Sequence, residues 1–204
     1  MKGEEVALSQ EEWKQNPNKF KILDSDLYLR HLVKPNGLVL PHHISGSLFL
    51  DGLYNAERLI LPKSIGNTLS LEGLSTVEGV VLPQKIGNLD LSGIISPKGL
   101  ILPRHIDGSL YLDNLTSVEG LVLPQCVGGN LNLHGLTSAK DLVLPQSVGG
   151  DLYLWSLTSA DGLVLPYDFD LNKLICPSYI KNEILQNPDK YLSLIHISEP
   201  TRPY

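Results

Sequence analysis

The sequence predicts an all-β parallel solenoid of about seven 21-residue coils, two short strands per coil, with a short capping helix at each end. Three observations predict it. The motif Leu-x-Leu-Pro, with Val in first place once, ends at Pro41, Pro62, Pro83, Pro103, Pro124, Pro145 and Pro166, at intervals of 21, 21, 20, 21, 21 and 21 residues. A second motif, Leu-x-Leu-x-x-Leu, recurs between the prolines from Leu27-Leu29-Leu32 to Leu152-Leu154-Leu157, with Ile94 closing it once. One such unit cannot bury its own leucines, whereas stacked units cover one another. Seven separate hairpins would be marginal in water. Composition agrees with a packed chain. With 42% hydrophobic and 19% charged residues, it carries too much apolar surface for a wholly disordered polymer.

The elements follow in chain order. Residues 1–21 form an N-terminal cap, in which Ser9-x-x-Glu12 has the spacing of a helix capping box and opens a short helix through Trp13. Residues 22–175 form the solenoid. Within each coil the alternation Leu-x-Leu reads as a strand with one face inward. One strand is expected at Leu-x-Leu-Pro and the other at Leu-x-Leu-x-x-Leu. Gly37, Gly79, Gly99, Gly120 and Gly162 precede Leu-x-Leu-Pro, where a turn calls for positive φ. Arg58 and Asp141 hold the same place, so the demand reads as less than absolute. Ile44, Ile65, Ile86, Ile106, Val127 and Val148 follow the first six of these prolines by three residues and should point inward. The single 20-residue interval comes from Ile86-Gly87-Asn88-Leu89, one residue shorter than Val127-Gly128-Gly129-Asn130-Leu131.

Residues 176–191 form the C-terminal helix, opened at Pro177-Ser178 and running to about Gln186. Gln15-Asn16-Pro17-Asn18-Lys19-Phe20 and Gln186-Asn187-Pro188-Asp189-Lys190-Tyr191 are worded alike, as expected of two caps closing the apolar ends. Residues 192–204 resemble the in-frame translation of a sequencing adapter and are set aside as an artefactual tail. The C-terminal helix is then expected to be a truncation point.

Several functions are disfavoured by composition. The net charge is −6, and no run of basic residues stands out, so nucleic acid is not an expected partner. No apolar run nears the roughly 20 residues that cross a bilayer, so membrane insertion is not expected. The first five residues, Met1 to Glu5, lead into a polar segment unlike a signal peptide. A cytoplasmic location follows, with signal-independent secretion left open. Two cysteines, Cys126 and Cys176, are too few for a disulfide scaffold.

The repeat resembles bacterial leucine-rich repeats, especially the short BspA-like class with an Ile-x-Ile-Pro-x-x-Val phrase. Leu144-Pro145-Gln146-Ser147-Val148 and its equivalents carry the likeness, which covers roughly residues 22–171. The resemblance implies protein–protein or surface binding. The Asn usual after Leu-x-Leu-x-x is Leu or Ile here, Leu115 for example. Without that Asn ladder a straighter solenoid is expected.

Binding candidates come from ladder logic, because equivalent residues in adjacent coils sit about 5 Å apart. The middle positions of the Leu-x-Leu-x-x-Leu strand are Tyr28, Phe49, Ser70, Asp90, Tyr111, Asn132 and Tyr153. The positions just past it are Arg30, Asp51, Glu72, Ser92, Asp113, His134 and Trp155. This face varies from coil to coil, as selective recognition of a protein partner requires. Tyr28, Phe49, Asp51, Glu72, Tyr111, Asp113, His134, Tyr153 and Trp155 are its candidate binding residues, and Tyr111, His134, Tyr153 and Trp155 are expected to form one aromatic patch. A second surface is uniform. Val39, Ile60, Val81, Ile101, Val122, Val143 and Val164 are all β-branched aliphatics at outward positions. They form a possible interface stripe for a spacer or self-assembly unit, a monomer or a weakly associating one.

Enzyme readings rest on thinner patterns. Asp51 and Glu72 are ladder neighbours, and two carboxylates about 5 Å apart can serve retaining glycoside chemistry. That raises a carbohydrate-binding or carbohydrate-active alternative. His105 and Cys126 are a possible base and nucleophile, flanked by Lys85 and Ser147. His42-His43 faces Lys63 and Ser64, which supply no third zinc ligand. The expected chain is a scaffold rather than an enzyme, with no cofactor and no metal.

Overall fold

The computed structural model describes residues 22–35, 37–166 and 168–192. The Ser9–Trp13 helix and residues 193–204 lie outside the described residues. The described residues form a parallel β-solenoid of about seven coils. Its short strands are β1 Ile22–Leu23, β2 Leu27–Tyr28, β3 His43–Ile44, β4 Leu48–Phe49, β5 Ser64–Ser70, β6 Lys85–Asp90 and β7 His105–Ile106. They continue as β8 Leu110–Tyr111, β9 Cys126–Val127, β10 Leu131–Asn132, β11 Ser147–Val148, β12 Leu152–Tyr153 and β13 Leu174–Ile175. A helix α1, Ser178–Gln186, and a single turn α2, Pro188–Tyr191, close the C-terminal end.

Every strand pair is parallel and joins residues about one repeat apart, Leu131 with Leu110 and Leu152 for example. Two ladders result. One holds Ile22-Leu23 and, past each of the first six motif prolines, the second residue and the Ile or Val after it. The other holds the Leu-x of Leu-x-Leu. They fuse in β5 and β6, which run through both, so a 10-stranded sheet forms and β7, β9 and β11 stay a separate three-stranded one. The fusion marks the short repeat. The register of β5 on β6 slips between Ile65 and Thr68, where β6 lacks one residue.

The Leu-x-Leu-Pro segments are not strands, contrary to expectation. Their first amide is already spent in a tight turn. Leu38 N donates to Pro35 O at 2.8 Å, Leu59 N to Ala56 O at 2.9 Å and Leu142 N to Ala139 O at 3.1 Å. The proline at the other end has no N–H to offer. In the first six coils the paired ladder therefore begins after the proline, while in the last Leu165 forms a single parallel bridge with Leu192. Each turn has positive φ at its third residue, the pattern of a type II turn. The demand is met in all seven coils, by five glycines at φ 73–80° and by Arg58 and Asp141, both at 64°. Arg58 and Asp141, though not glycines, are thus no exceptions to the turn's demand.

A methyl group at Gly79 would meet open space, whereas one at Gly162 would lie 2.8 Å from Lys140 Cα. Gly79→Ala should therefore cost only the left-handed strain, about 1–2 kcal/mol. Gly162→Ala adds a clash and should cost more. Urea titration of the two variants checks the order, and equal losses would show that the neighbouring coil yields freely.

The leucines form one continuous core. Leu48, Leu50, Leu53, Leu69, Leu71, Leu74 and their equivalents through Leu154 are at most 1% exposed. The inward Ile and Val after each proline are buried as well, except Val148, which is half-buried. The C-terminal helix covers the last coil. Ile180 and Ile184 of α1 and Tyr191 of α2 are buried, and Tyr179 Oη donates to Leu157 O at 3.0 Å.

A polar ladder runs beside this core, at a position where the residue type varies from coil to coil. It occupies the position before Leu-x-Leu: Asp26, Ser47, Thr68, Asn88, Ser109, Asn130 and Asp151. Each of Asp26, Ser47, Asn88, Ser109 and Asn130 accepts the backbone N–H of the next member: Ser47 N to Asp26 Oδ1 2.6 Å, Ser109 N to Asn88 Oδ1 2.8 Å, Asp151 N to Asn130 Oδ1 2.8 Å. Thr68 N to Ser47 Oγ (3.4 Å) and Asn130 N to Ser109 Oγ (2.9 Å) continue it, and Asn88 Nδ2 donates to Thr68 Oγ1 at 3.2 Å. Side-chain oxygens at this one position thus satisfy backbone amides at the corner of successive coils.

Candidate functional site

The second ladder carries the variable face. Its register aligns Tyr28, Phe49, Ser70, Asp90, Tyr111, Asn132 and Tyr153 in successive coils, as the repeat predicts. Leucines on either side of each residue point into the core, so each outward side chain stands on a rigid, evenly spaced support.

Three regions follow one another along the face. At the N-terminal end Tyr28 and Phe49 stack with centroids 4.9 Å apart and planes 6° from parallel. The Arg30 guanidinium lies 4.6 Å from the Phe49 ring centre and 5.4 Å from that of Tyr28. Arg30 Nε also meets Asp51 Oδ2 at 3.2 Å, and Ser70 Oγ donates to Asp51 Oδ1. Arg30 is thus the hub of this cluster, joining Tyr28, Phe49 and Asp51. It also means that Asp51 is already engaged, while its ladder neighbour Glu72 is exposed.

The middle region is a polar mesh. Asp113 accepts from Ser92 Oγ at 2.9 Å and from Asn132 Nδ2 at 2.7 Å. Asp90 accepts from Ser92 N at 2.9 Å, and Asn132 Oδ1 from His134 N at 3.0 Å. The C-terminal region is the open one. Trp155 is 50% exposed and His134 is exposed, with half-buried Tyr153 beside them. Tyr153 Oη donates to Asp151 Oδ2 at 3.2 Å. Asn132 separates Tyr111 from Tyr153 in the register, so Tyr111 stands two coil steps from Tyr153 and Trp155 and one from the coil that carries His134.

The face is acidic. It presents Asp26, Asp51, Glu72, Asp90, Asp113 and Asp151 against one arginine, Arg30, and one histidine, His134. Local hydrogen bonds reinforce the charge. The Ser47 amide beside Asp26 holds its carboxyl below the usual carboxylate value. Tyr28 keeps its proton to higher pH because it donates to Asp26, and Tyr153 does so through burial and its bond to Asp151. Cations gather elsewhere. Stacking brings Lys63, Lys85 and Arg104 together with His42, His43 and His105 around the first ladder, although the sequence has no basic run.

The remaining candidates fall as follows. His105 and Cys126 are register partners in β7 and β9, and Ser147 follows Cys126 in β11. His43 Nδ1 contacts Ser64 Oγ at 2.8 Å. Among the described residues no three His, Cys, Asp or Glu side chains gather in a metal-binding group. Cys176 is buried, which pushes its thiol pKa up. The stripe residues Val39, Ile60, Val81, Ile101, Val122, Val143 and Val164 are all outward, between 43% and 78% exposed. Among the described residues no helix is long and apolar enough to cross a membrane.

Compared with known proteins, the chain matches no family model, no curated protein and no solved structure. The functional reading therefore rests on the face itself.

Proposed function

We propose that the chain is a non-catalytic repeat scaffold that recognises a protein segment through its variable face, and that the segment is basic. The observation that carries this reading is the contrast between two surfaces of one regular scaffold. The stripe repeats Val or Ile seven times, while the other face changes residue in nearly every coil and collects six carboxylates. Uniform coils set the spacing, and the changing side chains supply selectivity. Exposed Trp155, with Tyr153 and His134, is the anchor region, since aromatic side chains dominate the energetics of protein contacts. The acidic rows beside it steer a cationic partner and fix its register.

The test is selection from a random peptide library displayed on phage. Selected peptides should be enriched in Lys and Arg. Tyr153→Ala with Trp155→Ala should weaken their binding by about a hundredfold, a loss of the size expected of aromatic anchors. Circular dichroism should be unchanged, because both side chains lie outside the core. Peptides without basic enrichment, or indifferent to the double substitution, would refute the site.

A second reading is favoured by the exposure of the stripe. It makes the chain an assembly unit as well as a recognition one, and the two readings use different surfaces.

A further inference from the structure

We propose that the Val/Ile stripe is the interface of a two-fold symmetric dimer of this chain, with the two solenoids antiparallel and the axis passing through Ile101. The inference goes beyond recognition by the variable face and does not depend on it. It deepens the assembly reading by fixing the occupant and its orientation.

Area comes first. Exposure rises to 78% at Ile60 and Val81 and 73% at Ile101, in the middle of the stripe. Seven such side chains leave on the order of 700 Å² of apolar surface, more than monomers ordinarily keep in one patch. Two stripes face to face would bury on the order of 1,400 Å², within the range of a specific interface. A flat, regular row of β-branched side chains is self-complementary, as an isologous contact requires.

Strain and charge choose the orientation. Ile101 is fourth of the seven stripe residues, and Ile60 and Val143 are second and sixth. Two residues before each of the latter stand Arg58 and Asp141, the two non-glycine residues with positive φ among the described residues. Both hold a backbone conformation that costs L-residues energy, both are exposed, and their charges are opposite. An axis through Ile101, perpendicular to the stripe, sets Arg58 of each copy opposite Asp141 of the other. It also sets Glu57 opposite Lys140. The same operation places Glu78 across from Glu119, and Lys98 and Arg104 across from their own counterparts. Glu78, Lys98 and Glu119 alternate in sign along the row, so each lysine has a glutamate of the other copy one coil to either side.

Sedimentation equilibrium tests the dimer, and three sets of variants test its orientation. The parent chain should dimerise. Ile101→Lys places two ammonium groups on the axis and should weaken the dimer by more than about a hundredfold, as expected for unpaired buried charges. Arg58→Asp should weaken it, and Arg58→Asp with Asp141→Arg should restore it. With Cys126→Ser as background, Ile101→Cys should cross-link to itself on mild oxidation. Ile60→Cys should cross-link only when mixed with Val143→Cys. A parent that stays monomeric into the millimolar range would overturn the proposal. So would a charge swap that fails to restore association, or an Ile60→Cys chain that cross-links to itself as readily as Ile101→Cys, which would put the axis along the stripe.

Discussion

Leu112→Ala will destabilise the chain by about 2–5 kcal/mol, the range for emptying a fully buried leucine site. Leu112 is 0% exposed and lies in the interior of the stack, with Leu91 below and Leu133 above. Both neighbours sit on coils held by backbone bonds, Leu91 N to Tyr111 O at 3.0 Å and Leu133 N to Tyr153 O at 3.0 Å, so the cavity cannot easily collapse. The loss is also shared between two interfaces, because a solenoid coil is stabilised only by the coils that flank it. Leu29→Ala, at a half-buried position in the first described coil, should cost less than half as much. Urea denaturation of both variants measures the contrast. Equal costs would mean that interior coils do not depend on their neighbours.

Asn88→Ala is the second large effect, about 1–3 kcal/mol, the cost of leaving a buried amide without its acceptor. Asn88 Oδ1 accepts the amide of Ser109, a 9%-exposed residue, and Asn88 Nδ2 donates back to Thr68 Oγ1. It therefore ties three successive coils at the shortest repeat. Asn88→Ser should recover part of the loss, since Ser47 and Ser109 already perform this task at the same position. A serine variant as unstable as alanine would show that volume rather than the acceptor oxygen is what Asn88 contributes.

Much of the architecture could be read from periodicity, because burial of leucine imposes one side-chain direction at each repeat position. The coil length, the inward residues and the outward stripe all follow from that rule. So does the slip in β5 on β6, visible as the one 20-residue interval. The location of the first ladder was not legible. Leu38-Val39-Leu40 alternates like a strand, but its leading amide closes a turn and Pro41 has none to give. The polar ladder was hidden for another reason. Asp26, Ser47, Thr68, Asn88, Ser109, Asn130 and Asp151 differ in name and size, and share only an oxygen close to the backbone. Arg58 and Asp141 hide the turn in the same way, since opposite charges mask a common φ. On the variable face, membership was legible and contacts were not. That Tyr28, Phe49, Arg30 and Asp51 close into one cluster depends on side-chain torsions the repeat does not set.

Distances between paired spin labels test the stacking most directly. Labels at Lys63 and Gln146 are separated by four coil steps, and labels at His42 and Gln146 by five. At about 4.8 Å per coil the separations should be roughly 19 and 24 Å, with His42 and Gln125 returning to roughly 19 Å. The measurement belongs in a Cys126→Ser background, diluted with unlabelled chain so that only distances within one molecule are read. Separations that grow by one strand spacing per repeat are what a parallel stack of seven coils requires. Separations that ignore repeat number, or that grow by the length of a helix of 21 residues, would contradict it.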